Sequence, residues 1–337
     1  MTNTSKIRVA VLFGGRSPEH EISLLSAANV IEYLDKSRFE VIPVKLDKQG
    51  TWFEAMNLPQ VDVIFPVMHG TFSEDGTIQG LLELAGVPYV GCGVLASAVG
   101  MDKDVARRLA LHAGVPVVPY IAIKQGEWHK NKAAFEAKIL KAFSFPLFVK
   151  PANQGSSIGV SKVKTKENLS SAMEYAFRFD TKILVEQGIP ASELEVAVLE
   201  SLEEGELPFA SQVGEIRPNE EFYSYSAKYT DGGAELIIPA AISPDLQQSL
   251  QNFAITIFNA LNAEGMARID FFVDKNTQQI YFNEMNSIPG FTMLSMYPRM
   301  MTASGVSYAE LLTHLVTLAM QKDKQKQKLE RNYVAQI

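Results

Sequence analysis

The sequence predicts an α/β protein that opens with a parallel sheet unit and continues through further domains built on hairpins. Three observations predict it. Apolar, β-branched runs alternate with helix-period segments as far as about residue 95, and the runs end in Gly-rich polar turns. Two later pairs of apolar runs are each joined by a polar turn, as in antiparallel hairpins. A chain of 337 residues, 47% hydrophobic and 20% charged, is long enough for two or three domains with sizeable cores.

Ile7 to Phe13 reads as a buried parallel strand. It runs into Gly14-Gly15-Arg16-Ser17-Pro18-Glu19-His20-Glu21 and then a helix, Ile22 to Ile31. Such a corner binds ligands, because a helix N-terminus offers free N–H groups. It lacks G-x-G-x-x-G, which argues against a nicotinamide site. Glu19 is either a complement to the helix dipole or a carboxylate that holds a substrate ammonium. Phe39 to Leu46 and Val61 to Val67 are the next strands. The second ends at Met68-His69-Gly70-Thr71 and leads, through Glu74-Asp75-Gly76-Thr77, to a helix from Ile78 to Ala85. His69 therefore lies where open α/β sheets place ligands. Val87 to Gly91 is a short edge segment.

One helix is expected from Ala96 to Ala113, carrying Asp102 and Lys103, and ended by Gly114-Val115-Pro116. Val117 to Ile123 is a strand, and Lys132 to Phe143 a helix with Asn131 as N-cap. Phe145 to Lys150 and Ile158 to Val163 form a hairpin whose tip, Pro151-Ala152-Asn153-Gln154-Gly155-Ser156-Ser157, is polar and rich in Gly and Ser. Backbone N–H groups and hydroxyls of that kind suit an anion, and Lys150 leaves the strand toward the same place. The tip is not a Walker A loop, since it joins two strands and lacks that spacing. A helix follows from Lys166 to Phe179, then strands Thr181 to Glu186 and Ser192 to Leu199, with the turn Gln187-Gly188-Ile189-Pro190 between them. Val213 to Ile216 is a strand. Pro218 to Ile237 is a long polar loop with three tyrosines and Lys228, a length that in a compact domain usually serves function. Pro244 to Leu261 is an amphipathic helix, Tyr308 to Met320 another, and Gln321 to Asn332 a charged tail, either helix or disorder.

The stretch with the most chemistry is Arg268 to Met296. Strands Ala267 to Val273 and Gln279 to Asn283 flank the turn Asp274 to Thr277. Asp270 is on the first strand. Glu284 and Asn286, two apart at the end of the second, face one way. Three oxygen-bearing groups from adjacent strands suit a hard cation such as Mg2+, which favours carboxylates together with substrate phosphates. Arg268 shares the face of Asp270 and sets a fixed positive charge beside that cation, a layout fit for phosphoryl transfer. The bland alternative is a hairpin with charges on its wet face.

A formal charge of −7 without a long basic run argues against a nucleic-acid partner. The single cysteine, Cys92, allows no intrachain disulfide, and its Gly-Cys-Gly setting suggests a small residue in a tight loop. Neither a signal-peptide core nor a membrane-spanning length of apolar residues is present, so the expected location is the cytoplasm, with no membrane partner.

Taken together, six motifs in order resemble the D-alanine–D-alanine ligases of the ATP-grasp superfamily. They are Leu12-Phe-Gly-Gly-Arg-Ser-Pro-Glu-His-Glu-Ile-Ser, His69-Gly-Thr with Glu74-Asp-Gly-Thr, Met101-Asp-Lys, Lys150-Pro with Gly155-Ser-Ser-Ile-Gly, Glu221-Phe-Tyr with Ala227-Lys-Tyr, and Arg268-Ile-Asp with Asn283-Glu-Met-Asn-Ser-Ile-Pro-Gly-Phe-Thr. The resemblance implies an ATP-grasp fold. Its N-terminal Rossmann-like substrate domain would span 1–100, a central lid subdomain 101–187, and a C-terminal catalytic subdomain 188–337, the last with an omega-type loop at 218–237; the two α+β subdomains would sandwich ATP. It also implies a reaction: ATP phosphorylates one D-alanine, and the amine of a second attacks the acyl phosphate to give a dipeptide for peptidoglycan synthesis.

Carried over by position, Asp270, Glu284 and Asn286 would hold two Mg2+ (or Mn2+) ions. Lys103 and Lys150 would contact ATP phosphates, with Ser156 and Ser157 at the lid tip and Lys228 on the transferred phosphoryl group. Glu186 and the backbone from Gln187 to Ile189 would read adenine, and Glu193 the ribose. Glu19 would take the first D-alanine's ammonium, with His69 nearby. Arg268 and the Gly290 N–H would stabilise the oxyanion, and Ser295 and the Met296 N–H would take the second carboxylate. Glu19, Ser156 and Tyr229 would join in closing the lids. A tyrosine at 229 goes, in the family, with dipeptide formation rather than with D-lactate. A homodimer is implied too. The alternatives are a D-Ala–D-lactate or D-Ala–D-Ser ligase and, from another class, a non-catalytic nucleotide-binding module.

Overall fold

In a computed structural model of the chain, residues 6–49, 61–219 and 233–330 are described. Among them three sheets account for the strands. The first is parallel: β1 (Ile7–Gly14) lies between β2 (Phe39–Leu46) and β3 (Val63–Pro66). Side chains alternate across a strand, and β1 uses both faces. Val9 and Val11 pack with Ala27 and Val30 of the helix His20–Tyr33 and with Leu311, Leu312 and Leu315 of the last helix, Tyr308–Lys326. Ala10 and Leu12 pack with Ile78 and Leu82 of the helix Thr77–Ala85. Burial on both faces is why β1 reads as a continuous apolar run. It is the C-terminal helix, distant in sequence, that covers one of those faces.

The second sheet is antiparallel, in the order β4 (Tyr120–Lys124), β7 (Lys182–Gln187), β5 (Leu147–Pro151), β6 (Ser161–Val163). Helices Gln125–Lys130, Lys132–Ala142 and Leu169–Ala176 cover it, with Trp128, Ile139 and Met173 packed on Leu147, Val149 and Val185. The Asn131 side chain caps its helix as expected, its Oδ1 accepting from the Ala134 N–H at 3.2 Å.

The third sheet runs β11 (Ala234–Ile237), β10 (Gly214–Pro218), β8 (Ala191–Leu199), β12 (Met266–Asp274), β13 (Ile280–Asn286), with β9 (Phe209–Ala210) beside β8. One face takes the helix Pro244–Ala260 through Leu250, Ala254 and Ile257; the other joins the core under the first sheet through Ala197, Leu199 and Met266. The α/β class and its parallel opening sheet are as the sequence predicted.

Three expectations need adjusting. The helix expected over 96–113 is two, Val94–Met101 and Lys103–His112. Asp102 breaks it: its backbone is extended (φ −81°, ψ 98°), and its carboxylate caps the second helix by accepting from the N–H groups of Asp104 and Val105. The segment 166–179 starts as a 3-10 turn at Lys166–Asn168 before the helix at 169–176. The expected loop 218–237 contains β11, paired with β10 through Ile216 and Leu236. The charged tail takes the helical one of its two expected forms as far as Lys326. Among the described residues, no helix is long and apolar enough to cross a membrane.

Candidate active site

A cleft of about 690 Å³ opens between the second and third sheets. On one wall are Lys103, Lys150, Ser157, Glu186, Gln187 and Ile189; on the other, Glu193, Arg268, Asp270 and Glu284.

The far wall is built by the β12–β13 ladder. Arg268 lies opposite Asn286 and Asp270 opposite Glu284. The register then slips, with Phe271 facing Phe282, so that Asn283 is the extra residue of a bulge. Asp270 receives two hydrogen bonds from Arg268, both 2.7 Å, and one from the Asn286 amide at 3.0 Å. Glu284 pairs with Lys103 at 3.1 Å. Arg268 also meets Glu195, on the neighbouring strand, at 3.1 Å. Burial disfavours the Arg268 charge, but Asp270 and Glu195 outweigh it and hold the guanidinium firmly protonated. Two carboxylates and an amide oxygen are the donors of a hard cation. Among the described residues no three His, Cys, Asp or Glu side chains gather into an all-protein cage. The set fits an ion that completes its shell with waters and phosphate oxygens.

On the near wall, the buried Lys150 ammonium pairs with Glu186 Oε1, while Arg107 Nη1 takes Glu186 Oε2 at 2.6 Å. The Lys150 ammonium also sits 5.6 and 5.5 Å from the ring centres of Phe148 and Phe272. Burial pushes the Lys150 pKa below its ordinary value, only partly offset by Glu186. The Gln187 N–H donates to Pro119 O at 3.0 Å and the Gly188 N–H to Pro146 O at 2.9 Å, while the Gln187 side chain turns to Ser144. Glu193 lies opposite Phe272 on β12. At the lid tip, Asn153 donates to Asp180, Gln154 donates to Phe179 O, and Gln154 O accepts from Lys103 at 2.6 Å.

A second group of residues lies at the end of the first sheet. The Ser156 hydroxyl donates to Glu19 Oε1 at 2.6 Å, joining the lid tip to the β1 corner across 137 residues of sequence. Ser156 and Ser157 have φ of 50° and 57°, a left-handed geometry that bends the tip. Gly70 (φ +77°) lies under Glu19, and a Cβ there would fall 2.5 Å from Glu19 Oε2 and Ser17 Oγ. His69 Nδ1 donates to Ile288 O at 3.2 Å and lies 3.7 Å from Glu74, while its Nε2 is 2.9 Å from Ser26 Oγ. Burial lowers the His69 pKa, but Glu74 outweighs it and the ring is held more basic than usual. Ser295 has extended backbone before the helix Met296–Ala303, which exposes the Met296 N–H at the helix start. Gly290 packs beside it: an added Cβ would meet Ser295 Oγ at 2.8 Å.

Some residues of the site belong to no motif in the sequence. Ser26 and Asn29, three apart on one helix, accept from the N–H groups of Phe291 (3.4 Å) and Met293 (2.8 Å), and the Tyr308 hydroxyl donates to Phe291 O at 2.6 Å. They fix the loop that carries Gly290 and Ser295. Glu195 is signalled by its position two residues after Glu193 in a strand that is otherwise apolar from Leu194 to Leu199. Arg107 gave no signal. The structure thus gathers Lys103, Lys150, Ser157, Glu186, Gln187, Ile189, Glu193, Arg268, Asp270 and Glu284 at the cleft, with Asn286 bonded to Asp270. It joins Glu19 to Ser156 and sets Gly290 against Ser295, while His69 is tied to the Gly290 loop through Ile288. Lys228 and Tyr229 lie outside the described residues.

Comparison with known proteins adds to this geometry. The family description "D-ala D-ala ligase C-terminus" matches residues 109–317, and "D-ala D-ala ligase N-terminus" matches 8–60 and 54–92. This chain belongs to the D-alanine–D-alanine ligase family. A relative named D-alanine–D-alanine ligase A from Bradyrhizobium diazoefficiens is 48% identical, over 98% of this chain and 99% of its own length. Two solved members align closely. The D-alanine-D-alanine ligase from Coxiella burnetii is 32% identical with a TM-score of 0.83, over 96% of this chain and 97% of its own. The VanG D-Ala:D-Ser ligase from Enterococcus faecalis is 36% identical with a TM-score of 0.82, over 94% of this chain and 100% of its own. Membership in the D-alanine–D-alanine ligase family is what the six motifs implied.

Proposed function

We propose that the protein joins two D-alanines at the expense of ATP, releasing D-alanyl-D-alanine, ADP and phosphate for peptidoglycan precursors. The observation that carries this reading is the register of β12 and β13: it sets Asp270 opposite Glu284, with Arg268 beside them, at a cleft whose other wall bears Lys150 and Lys103. Asp270, Glu284 and Asn286 would hold two Mg2+ or Mn2+ ions, which when bound neutralise phosphate charge.

The ATP phosphates lie along Lys103, Lys150 and the hydroxyls of Ser156 and Ser157. Glu186 and the 187–189 backbone read the base, and Glu193 the ribose. Glu19 takes the ammonium of the first D-alanine, with His69 nearby. A carboxylate oxygen of that D-alanine attacks the γ-phosphorus, and the β–γ oxygen leaves with ADP. The amine of the second D-alanine, whose carboxylate is held by Ser295 and the Met296 N–H, then attacks the acyl carbon. Arg268 and the Gly290 N–H hold the oxyanion, and phosphate departs carrying one original carboxylate oxygen and the proton that the attacking amine gives up. Closure of the lid by Glu19, Ser156 and Tyr229, with Lys228 on the transferred phosphoryl group, protects the acyl phosphate from water; the Glu19–Ser156 bond supports this. On the same reading 1–100 binds the first substrate, 101–187 forms the lid and 188–337 carries the ion site, in a cytoplasmic homodimer.

The test supplies ATP, Mg2+ and D-alanine, alone or with D-serine or D-lactate. Phosphate release that needs D-alanine, with D-alanyl-D-alanine as main product, is expected. Preferred formation of a mixed product would place the chain with the D-Ala:D-Ser relative it resembles in structure. No phosphate release would favour a binding module.

A further inference from the structure

Arg107 is fully buried on the helix Lys103–His112, between the two walls of the cleft. Its Nη1 donates to Glu186 Oε2 on β7 at 2.6 Å. Its Nε donates to Asn283 O at 3.2 Å and its Nη2 to Asn283 Oδ1 at 3.1 Å, both on β13. The guanidinium lies over the Tyr120 ring, 5.5 Å from its centre, and Tyr120 in turn donates to Asp104 on the same helix at 3.1 Å. One rigid fork therefore touches the second sheet and the third. Its contact on the third is Asn283, the bulge residue whose displacement from the ladder precedes Glu284. On the second, it shares Glu186 with Lys150, each cation taking one oxygen.

We propose that Arg107 is a positioning residue for nucleotide and divalent ions together: by gripping Glu186 and the Asn283 bulge at once, it fixes the base-reading strand against the ion-bearing strand. This rests on the nucleotide and ion sites proposed above. Two physical points favour it. A bulge left to itself bends and twists its strand, so the direction of Glu284 depends on what holds Asn283. When Lys150 turns toward a phosphate, Glu186 would be left as a buried anion unless a second cation stayed, and Arg107 has no phosphate role that would draw it away. A lysine at 107 would keep a charge for Glu186, but it lacks the planar fork needed to hold both Asn283 oxygens as well.

The test compares Arg107→Lys, Asn283→Ala and the double variant with the wild type in full-length protein. It measures KM for ATP, the Mg2+ concentration for half-maximal rate, KM for D-alanine and the melting temperature. Arg107→Lys is expected to raise both the ATP and the Mg2+ constants about tenfold or more, the scale of losing a charged hydrogen bond. D-alanine KM should stay within about twofold, since the Glu19 corner is untouched by this contact. Asn283→Ala should shift the same two constants, and much less so in the Arg107→Lys background. Independent, additive shifts, a D-alanine KM that rises equally, or unchanged ATP and Mg2+ constants would overturn the proposal while leaving the ligase reading intact. A wild type that neither binds nucleotide nor releases phosphate with D-alanine would sink that reading and this proposal together.

Discussion

At the scale of single residues, the site is a set of charges whose states are fixed by burial and partners. Glu284 is the carboxylate set opposite Asp270. Glu284→Ala is expected to cut turnover by about two orders of magnitude or more, as removal of a group aimed at transition-state charge does, measured as D-alanine-dependent phosphate release. Near-normal turnover would move the ion site elsewhere. Glu186 gives a test through pH. Burial alone would raise its pKa, but Lys150 and Arg107 outweigh burial and hold it below the ordinary 4.5. A depressed carboxylate adds stability that is present above its unfolded pKa and lost as pH falls through the folded one. The unfolding free energy of Glu186→Gln, read by denaturant titration, should therefore trail the wild type most above about pH 4.5, by about 3–5 kcal/mol, and the gap should close in more acid solution. A constant gap would mean that the pair is not ionic. Cys92 is chemically quiet for a related reason: burial pushes its thiol up to about 12. Thiol reagents near pH 8 should label it slowly in the native protein and fast once it unfolds.

At the scale of elements, the strand–turn–helix pattern was legible because each run has a period that only one element satisfies. Val9 and Val11 alternate with Ala10 and Leu12 into two cores, and Glu284 and Asn286 share a strand face by the same period of two. What was not legible depends on contacts between distant parts. The helix break at Asp102 is a cap that competes with an otherwise continuous helical pattern. The bulge at Asn283 is visible only in the register with β12. Arg107 reads as one more charge on a helix until Glu186 and Asn283 close around it. The turn under Glu19 yields a prediction at this scale. Gly70→Ala would force a Cβ into left-handed backbone at about 1–2 kcal/mol and push aside the Glu19 carboxylate, which it would approach to 2.5 Å. KM for D-alanine should rise well above tenfold while KM for ATP holds; equal rises in both would mean that Glu19 serves the fold rather than the substrate.

At the scale of the whole molecule, the last helix closes the core that the first strand opens, so the two ends of the described chain fold as one core. Leu312 is fully buried there. Leu312→Ala should lower stability by about 2–5 kcal/mol and leave the activity of the folded fraction close to wild type, read by denaturant titration alongside the assay. The cleft lies between the second and third sheets, and Leu312 is not among the residues that line it. The central claim is that nucleotide in the cleft activates the acid end of an amino acid before a second amine attacks. D-alanine labelled with oxygen-18 in its carboxylate tests it most directly, with the released phosphate read by mass spectrometry. One labelled oxygen per phosphate formed, alongside one dipeptide, is the predicted result. Unlabelled phosphate would contradict the account, because no bond would then have formed between that carboxylate and the γ-phosphorus.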